Sequence, residues 1–159
     1  MIPPAKRGSG LLEIYVDGDA CPVKDEVLRV AERHQLLVHL VSNRWLRGPE
    51  NPLVHRVVVT DGFDAADNWI ADHAGSGDIV VTADIPLAAR CLKNGASVLG
   101  PTGRPFSEAN IGMALAMREL KSQLRDAGEI RDHGPAFSKR DRSAFLQALE
   151  GIITALKRR

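Results

Sequence analysis

A chain of 159 residues, 44% hydrophobic and 26% charged, has the length and balance of one water-folded domain, able to bury roughly 68–70% of its unfolded surface without staples. That composition excludes intrinsic disorder, collagen-like repeats and a membrane protein. Lys and Arg number 21 against 20 Asp and Glu, a net charge of +1, so total charge announces no polyanionic or polycationic partner.

Residues 1–10 read as a loose leader, and 11–159 as one domain. The apolar run after the leader, Leu11 to Val16, is interrupted by Glu13 and ends at Asp17; it is too short for a secretion signal, and nothing approaches the ~20 apolar residues of a membrane span. Cys21 and Cys91 stand far apart without clustered partners, which suggests neither a disulfide framework nor a zinc site and fits a reducing cytoplasm.

Leu11 to Val16 is β-branched and aromatic, the pattern of a buried strand, and it delivers Asp-Gly-Asp at its end. Pro22 suits a first helical turn, and Val23, Val27, Val30 and Ala31 continue at helical spacing to about His34. Leu36 to Val41 is a second strand and Val57 to Thr60 a third, with Ser42 to His55 a loop between them. A helix follows over Phe63 to Ala74, then a fourth strand over Asp78 to Thr82, a helix over Ile85 to Asn94 and a fifth strand over Ala96 to Leu99. Gly100 to Pro105 is rich in turn formers. Two helices close the chain, from Ser107 to about Arg125 and from Arg140 to Lys157, and are expected to pack on the sheet because some fifty residues make a marginal core alone. Strands and helices alternating at this tempo specify an α/β fold with a mainly parallel sheet of about five strands flanked by helices, plus a C-terminal helical extension.

Ligands of open parallel sheets sit beyond the carboxyl ends of the strands. Asp17 and Asp19 follow the first strand, Asp61, Asp64 and Asp67 the third, and Asp84 the fourth. Three strands thus deliver carboxylates to one rim. Asp17 and Asp19 are two apart, while Asp64 and Asp67 are three apart and share a helix face, as does Asn68 with Asp64. Converging carboxylates repel unless a cation neutralises them. Hard ions such as Mg²⁺ or Mn²⁺ prefer oxygen ligands and stabilise charge on phosphate, which points to phosphodiester hydrolysis. Each acid also has a structural use: Asp84 as a helix N-cap, Asp61 as a turn residue before Gly62, Asp64 as the cap of the helix carrying Asp67. Asp17 is the hardest to explain structurally, because a carboxylate directly after a buried strand is costly without a partner.

Thr82 has a hydroxyl able to bond a ligand, although strands favour threonine in any case. Cys21, beside Pro22 near a helix start, reads as a buried structural thiol rather than a nucleophile. The five histidines show no metal-ligand spacing. Aromatics are only 4%, so a base-stacking platform has little support. Trp45 is the loop residue that suits stacking, and it suits covering the core equally well.

Val16-Asp-Gly-Asp-Ala-Cys-Pro22, Gly62-Phe-Asp-Ala-Ala-Asp-Asn68, Asp78-Ile-Val-Val-Thr-Ala-Asp-Ile-Pro-Leu-Ala-Ala89 and Gly134-Pro-Ala-Phe-Ser-Lys-Arg-Asp-Arg-Ser-Ala-Phe145 resemble the successive blocks of the YaiI/YqxD family of bacterial proteins. The resemblance runs over nearly the whole chain from Ile14. That family is grouped by similarity with PIN-like domains, metal-dependent nucleases that use acids at the carboxyl ends of a parallel sheet, so the resemblance implies a single PIN-like domain over 11–159. The first block supplies Asp17 and Asp19, the second Asp64 and Asp67, the third Asp84. Gly18 stands where the family usually has alanine, a conservative exchange, and Asp61 stands where relatives often carry a small residue.

In the last block Ser138 and Asp141 have the spacing of a capping box. Lys139, Arg140 and Arg142 put positive charge at a helix N-terminus, against the dipole preference. That placement suits an acidic neighbour or an anionic ligand, and these three with Arg44 or Arg47 are candidates to hold phosphate; a solvated basic face is the plainer reading.

The leading expectation is a divalent-metal-dependent nuclease of PIN-like type acting on RNA or single-stranded nucleic acid. Asp17, Asp64 and Asp84 are its catalytic metal ligands, Asp19 and Asp67 further ligands, and Mg or Mn its cofactor. A non-catalytic metal- or RNA-binding module is the alternative. An aspartate-dependent phosphatase fits less well, because Ala20-Cys21 stands where that chemistry wants a small hydroxyl residue. Divided at Pro105, the charge becomes 11 basic against 13 acidic before and 10 against 7 after, an acidic rim joined to a more basic C-terminal part.

Overall fold

The computed structural model describes residues 12–48, 50–60, 62, 64–128 and 137–158. The leader, Asp61 and the start of the Gly134 block lie outside the described residues.

The elements follow in the order β1 (Ile14–Asp17), a 3-10 turn (Gly18–Ala20), α1 (Lys24–His34), β2 (Val38–Ser42), β3 (Val54–Val58), α2 (Ala65–His73), β4 (Ile79–Val81), α3 (Ile85–Lys93), β5 (Ser97–Leu99), β6 (Pro105–Phe106), α4 (Glu108–Asp126) and α5 (Lys139–Lys157). One sheet carries them in the order β3-β2-β1-β4-β5-β6, parallel through β5. The α/β class and the parallel sheet are as expected. A sixth strand is added: Pro105, at the end of the turn-rich stretch, and Phe106 pair antiparallel with Leu99 and Val98. At an edge strand proline's missing N–H costs no ladder bond. β3 also starts three residues earlier than expected, because His55 and Arg56 interrupt the apolar run that marks a strand in sequence.

Successive strand residues point to opposite faces, and both faces are covered. Ile14 and Val16 of β1 join Val38, Leu40, Ile79 and Val81 under α1 and α5, with Val23, Val27, Val30, Phe145, Leu149 and Ile153 from the helices. Tyr15 points the other way, with Val41, Val80 and Val98, to meet Ala66 and Ile70 of α2 and Leu87, Ala88 and Cys91 of α3. Burial on both sides is why the strands read as continuous apolar runs.

Local signals set the helix ends. α1 stops at Gln35, whose left-handed backbone (φ 55°) returns its N–H to the carbonyls of Ala31 and Glu32. α5 opens on the expected capping box, Ser138 Oγ accepting from the Asp141 N–H and Asp141 Oδ2 from the Ser138 N–H. α4 opens on an equivalent box with Asn110 in the acidic residue's place. The two long helices then differ: α5 buries Phe145, Leu149 and Ile153, whereas α4 buries no residue and exposes Met113, Met117 and Leu120. Among the described residues no helix is long and apolar enough to cross a membrane.

Candidate functional site

β1 and β4 are neighbours, so Asp17, the last residue of β1, lies across from the chain leaving β4. Thr82, buried immediately after β4, ties the two together. Its hydroxyl donates to Asp17 Oδ2 at 3.0 Å and accepts the Asp84 N–H at 2.9 Å. Thr82 is therefore the piece that sets Asp17 against Asp84, a role its sequence context did not single out. Asp84 in turn accepts the Leu87 N–H at 2.9 Å on Oδ1 and caps α3. The capping use foreseen for Asp84 is thus real, and it occupies one carboxylate oxygen.

Asp19, exposed one turn further on, accepts the Asn43 N–H on both carboxylate oxygens at 3.0 Å. Asn43 was not foreseen as part of the rim, since a backbone N–H leaves no mark in sequence. Asp64 occupies the N-cap position of α2, yet its side chain makes no cap hydrogen bond and is exposed. Asp67 sits one turn along that helix, half-buried. Asn68 accepts from Arg90 Nη1 at 2.8 Å.

Two of these acids are shifted by the charges of the others. Asp67 has its pKa pushed up to about 6, by burial first and then by the charges of Asp84, Asp17 and Asp64, with Arg90 pulling the other way. Asp17 is also raised, by burial first; the Thr82 hydrogen bond opposes the rise, and Asp84 and Asp19 add to it. A half-buried carboxylate raised by three other acids carries more negative charge nearby than Arg90 offsets. Among the described residues, however, no three acidic, histidine or cysteine side chains are grouped closely enough to hold one metal ion. The acids share a field and a rim rather than a ready coordination cage.

Of the basic candidates, Arg142 has a structural engagement. Nη1 donates to the Pro22 carbonyl at 2.9 Å and to both oxygens of the buried Glu26 at 3.2 Å, and the guanidinium lies over the Phe137 ring. Its acidic neighbour is thus Glu26 of α1, not the rim. Pro22 and Glu26 open α1 just after β1, so this contact brings the start of α5, with exposed Lys139 and Arg140, to the same end of the sheet. Arg44 and Arg47 are exposed in the loop after β2. Cys21 and Cys91 are buried, with their thiols pushed up to about 11, chiefly by burial; a nucleophilic Cys21 is ruled against by the energy of forming a thiolate there.

Gly18 separates Asp17 from Asp19, and a Cβ placed on it would come within 2.8 Å of Leu46 Cδ1. Alanine at this position is not a silent exchange in this chain, since Leu46 has to move to admit it.

A second titratable cluster, unforeseen, lies two residues earlier on the same strands. Tyr15, His39 and His55 stand side by side across β1, β2 and β3. His39 Nε2 meets Glu13 Oε1 at 2.7 Å and its Nδ1 meets His55 Nδ1 at 3.0 Å. Tyr15 stacks on His39, and Trp69 of α2 stacks on His73. Two Nδ1 atoms can share one proton only if one ring donates and the other accepts, so His39 and His55 cannot both carry Nδ1–H in this pairing. The signal available in sequence was the strand register, which an early start to β3 concealed.

Comparison with known proteins joins this geometry to a family. The profile described as "Uncharacterized BCR, YaiI/YqxD family" matches residues 15–155. The chain belongs to the YaiI/YqxD family. Among its curated relatives are the UPF0178 protein of Parvibaculum lavamentivorans, 59% identical over 94% of this chain and 98% of the relative, and that of Rhizobium meliloti, 58% identical over 91% and 99%. A UPF0178 protein of Rhodopseudomonas palustris is 57% identical over 94% of each chain. No solved structure matches. In this YaiI/YqxD chain the match begins in β1 and ends in α5, so it takes in every described acid of the rim.

Proposed function

We propose that the rim is the centre of a divalent-metal-dependent phosphodiesterase of PIN-like type that cuts RNA or single-stranded nucleic acid. The observation that carries this reading is the delivery of acids from β1, the β4 end and α2 to one end of the sheet, where Thr82 ties Asp17 to Asp84 and where Asp67 is raised by burial and by the charges of Asp84, Asp17 and Asp64. Such a cluster costs free energy in water and gains it back when a cation arrives. The donor set consists of carboxylate oxygens, the chemistry of a Mg²⁺ or Mn²⁺ site rather than a zinc site. Asp17, Asp64 and Asp84 would hold the ion, Asp84 through the oxygen that does not cap α3. Exposed Asp64, without a cap bond, is the ligand able to swing inward. Asp19 and Asp67 would complete or orient the site. The bound ion would supply charge stabilisation on the phosphate and a more acidic water. The protein's own part is to fix Asp17 through Thr82 and to offer exposed Arg44, Lys139 and Arg140 at the same end of the sheet.

Asp17→Asn should abolish Mn²⁺-dependent cleavage of a mixed RNA pool; undiminished cleavage would sink the proposal. Calorimetry with Mn²⁺ on the same variant separates loss of binding from loss of turnover, because a module that binds metal without cutting would show heat and no products.

A further inference from the structure

The loop that leaves β2 is fastened to the rim at two points. Asn43 gives its N–H to the Asp19 carboxylate, and Leu46 packs into the core beneath Gly18. Trp45 lies between these anchors, and its side chain is 66% exposed. It does not cover the core.

Arg56 of β3 holds the indole from one side. Its Nε donates to the Leu46 carbonyl at 3.4 Å and its guanidinium carbon stands 5.4 Å from the Trp45 ring centroid. Gly48 makes room for it, since a Cβ there would sit 2.6 Å from Arg56 Nη2. Beside this pair opens a cleft of about 620 Å³, lined also by Glu50, Asn51, Pro52 and Val54, within the size range of small-molecule sites. An exposed indole backed by a guanidinium, on an open cleft, is suited to a flat π-system: a nucleobase stacks on such a surface whatever its identity. Asn43 and Trp45 are two residues apart, at most ~7.6 Å of backbone, so the indole end of the cleft lies toward Asp19, while Asn51, Pro52 and Val54 line its far end at the start of β3. Arg44 and Arg47, on either side of Trp45, are placed to meet the connecting phosphates.

We propose that the Trp45–Arg56 cleft is a base-binding subsite that stacks one nucleobase of a single-stranded substrate whose backbone continues toward the acidic rim. The inference rests on the phosphodiesterase reading for its orientation but is tested by binding alone. In metal-free buffer, a labelled short oligoadenylate is titrated with the full chain, following anisotropy and tryptophan emission together. Wild type should bind and be quenched. Trp45→Ala should weaken binding roughly 10- to 100-fold, and Trp45→Phe should restore most of the affinity while losing the quench, because Trp69 remains in both variants. Failure of wild type to bind, affinity of Trp45→Ala within twofold of wild type, or a quench that survives in Trp45→Phe would each overturn the subsite. The two proposals fail separately. Trp45-dependent binding without metal-dependent cleavage removes only the nuclease reading. Cleavage whose KM and binding ignore Trp45→Ala removes only the subsite.

Discussion

At the rim, Asp84 adds to the charge cost of both Asp17 and Asp67, and the Thr82 hydroxyl links Asp17 to the Asp84 backbone. Two residues back along the same strands, roughly 7 Å away, the buried His39 has both ring nitrogens hydrogen-bonded, one to Glu13 and one to His55. Both clusters are ionisable and both touch the face covered by α2. The histidine layer is closed: its charges and protons are answered inside the fold. The rim is open: Asp17, Asp19 and Asp84 accept hydrogen bonds from Thr82, Asn43 and Leu87, yet the charges of neighbouring acids still raise Asp17 and Asp67.

The contrast can be broken most forcefully at His39. His39→Leu strips Glu13 and His55 of their shared partner in a buried position and should cost about 3 kcal/mol, read from urea unfolding, while Mn²⁺ affinity at the rim stays within twofold. A cost near zero would mean the layer is not held by this pairing. Thr82→Val removes a bond to Asp17 and the acceptor of the Asp84 N–H, and should cost about 1–2 kcal/mol. It should also raise the Asp17 pKa further, visible in a carboxyl-carbon NMR titration, because the hydrogen bond it deletes is the one that lowers it.

Asp67→Asn should act in the opposite direction, raising the Tm of the metal-free protein at pH 7 by about 2 °C, the half-exposed position screening much of the repulsion. The sign follows from linkage. The Asp67 pKa, raised from 3.8 to about 6, gives a stabilisation fully present below 3.8 and lost as pH rises through 6. His55 has the reverse sign. Burial, then the neighbouring His39, hold its pKa below 6.5, so its contribution is present above 6.5 and lost as pH falls through the lowered value. Wild type sums the two; in Asp67→Asn the acid-side gain should vanish and thermal melts from pH 7 to pH 4 should fall more steeply. The smallest effect is on metal: Mn²⁺ competes with the proton on Asp67, so its affinity should decline as pH falls through about 6 and do so less in Asp67→Asn.

Much of the fold was legible in the sequence. Strands buried on both faces leave continuous apolar runs, and helix stops such as Gly95 are local, so the alternation of elements and the acids ending each strand could be read directly. Asp17 stood out because nothing local explains a carboxylate there. The misses have a common cause. Thr82 and Asn43 act through contacts 65 and 24 residues away, and no local pattern encodes such pairings. β3 was read late because His55 and Arg56 look like loop residues until His39 and Trp45 are seen beside them. β6 exists only because β5 offers it an edge. Met113, Met117 and Leu120 recur at helical spacing just as Phe145, Leu149 and Ile153 do, and periodicity alone does not say that the first set faces solvent and the second the core.

The contact between Gly18 and Leu46 has an evolutionary corollary. An alanine at position 18, the residue the family resemblance leads one to expect, crowds the end of the Leu46 side chain, which anchors the short loop that presents Trp45. Residues 18 and 46 should therefore change together among relatives, with a smaller side chain at 46 wherever 18 carries a methyl. Such paired substitution would record, in sequence alone, that the spacer between two rim acids and the anchor of the aromatic loop were selected as a unit.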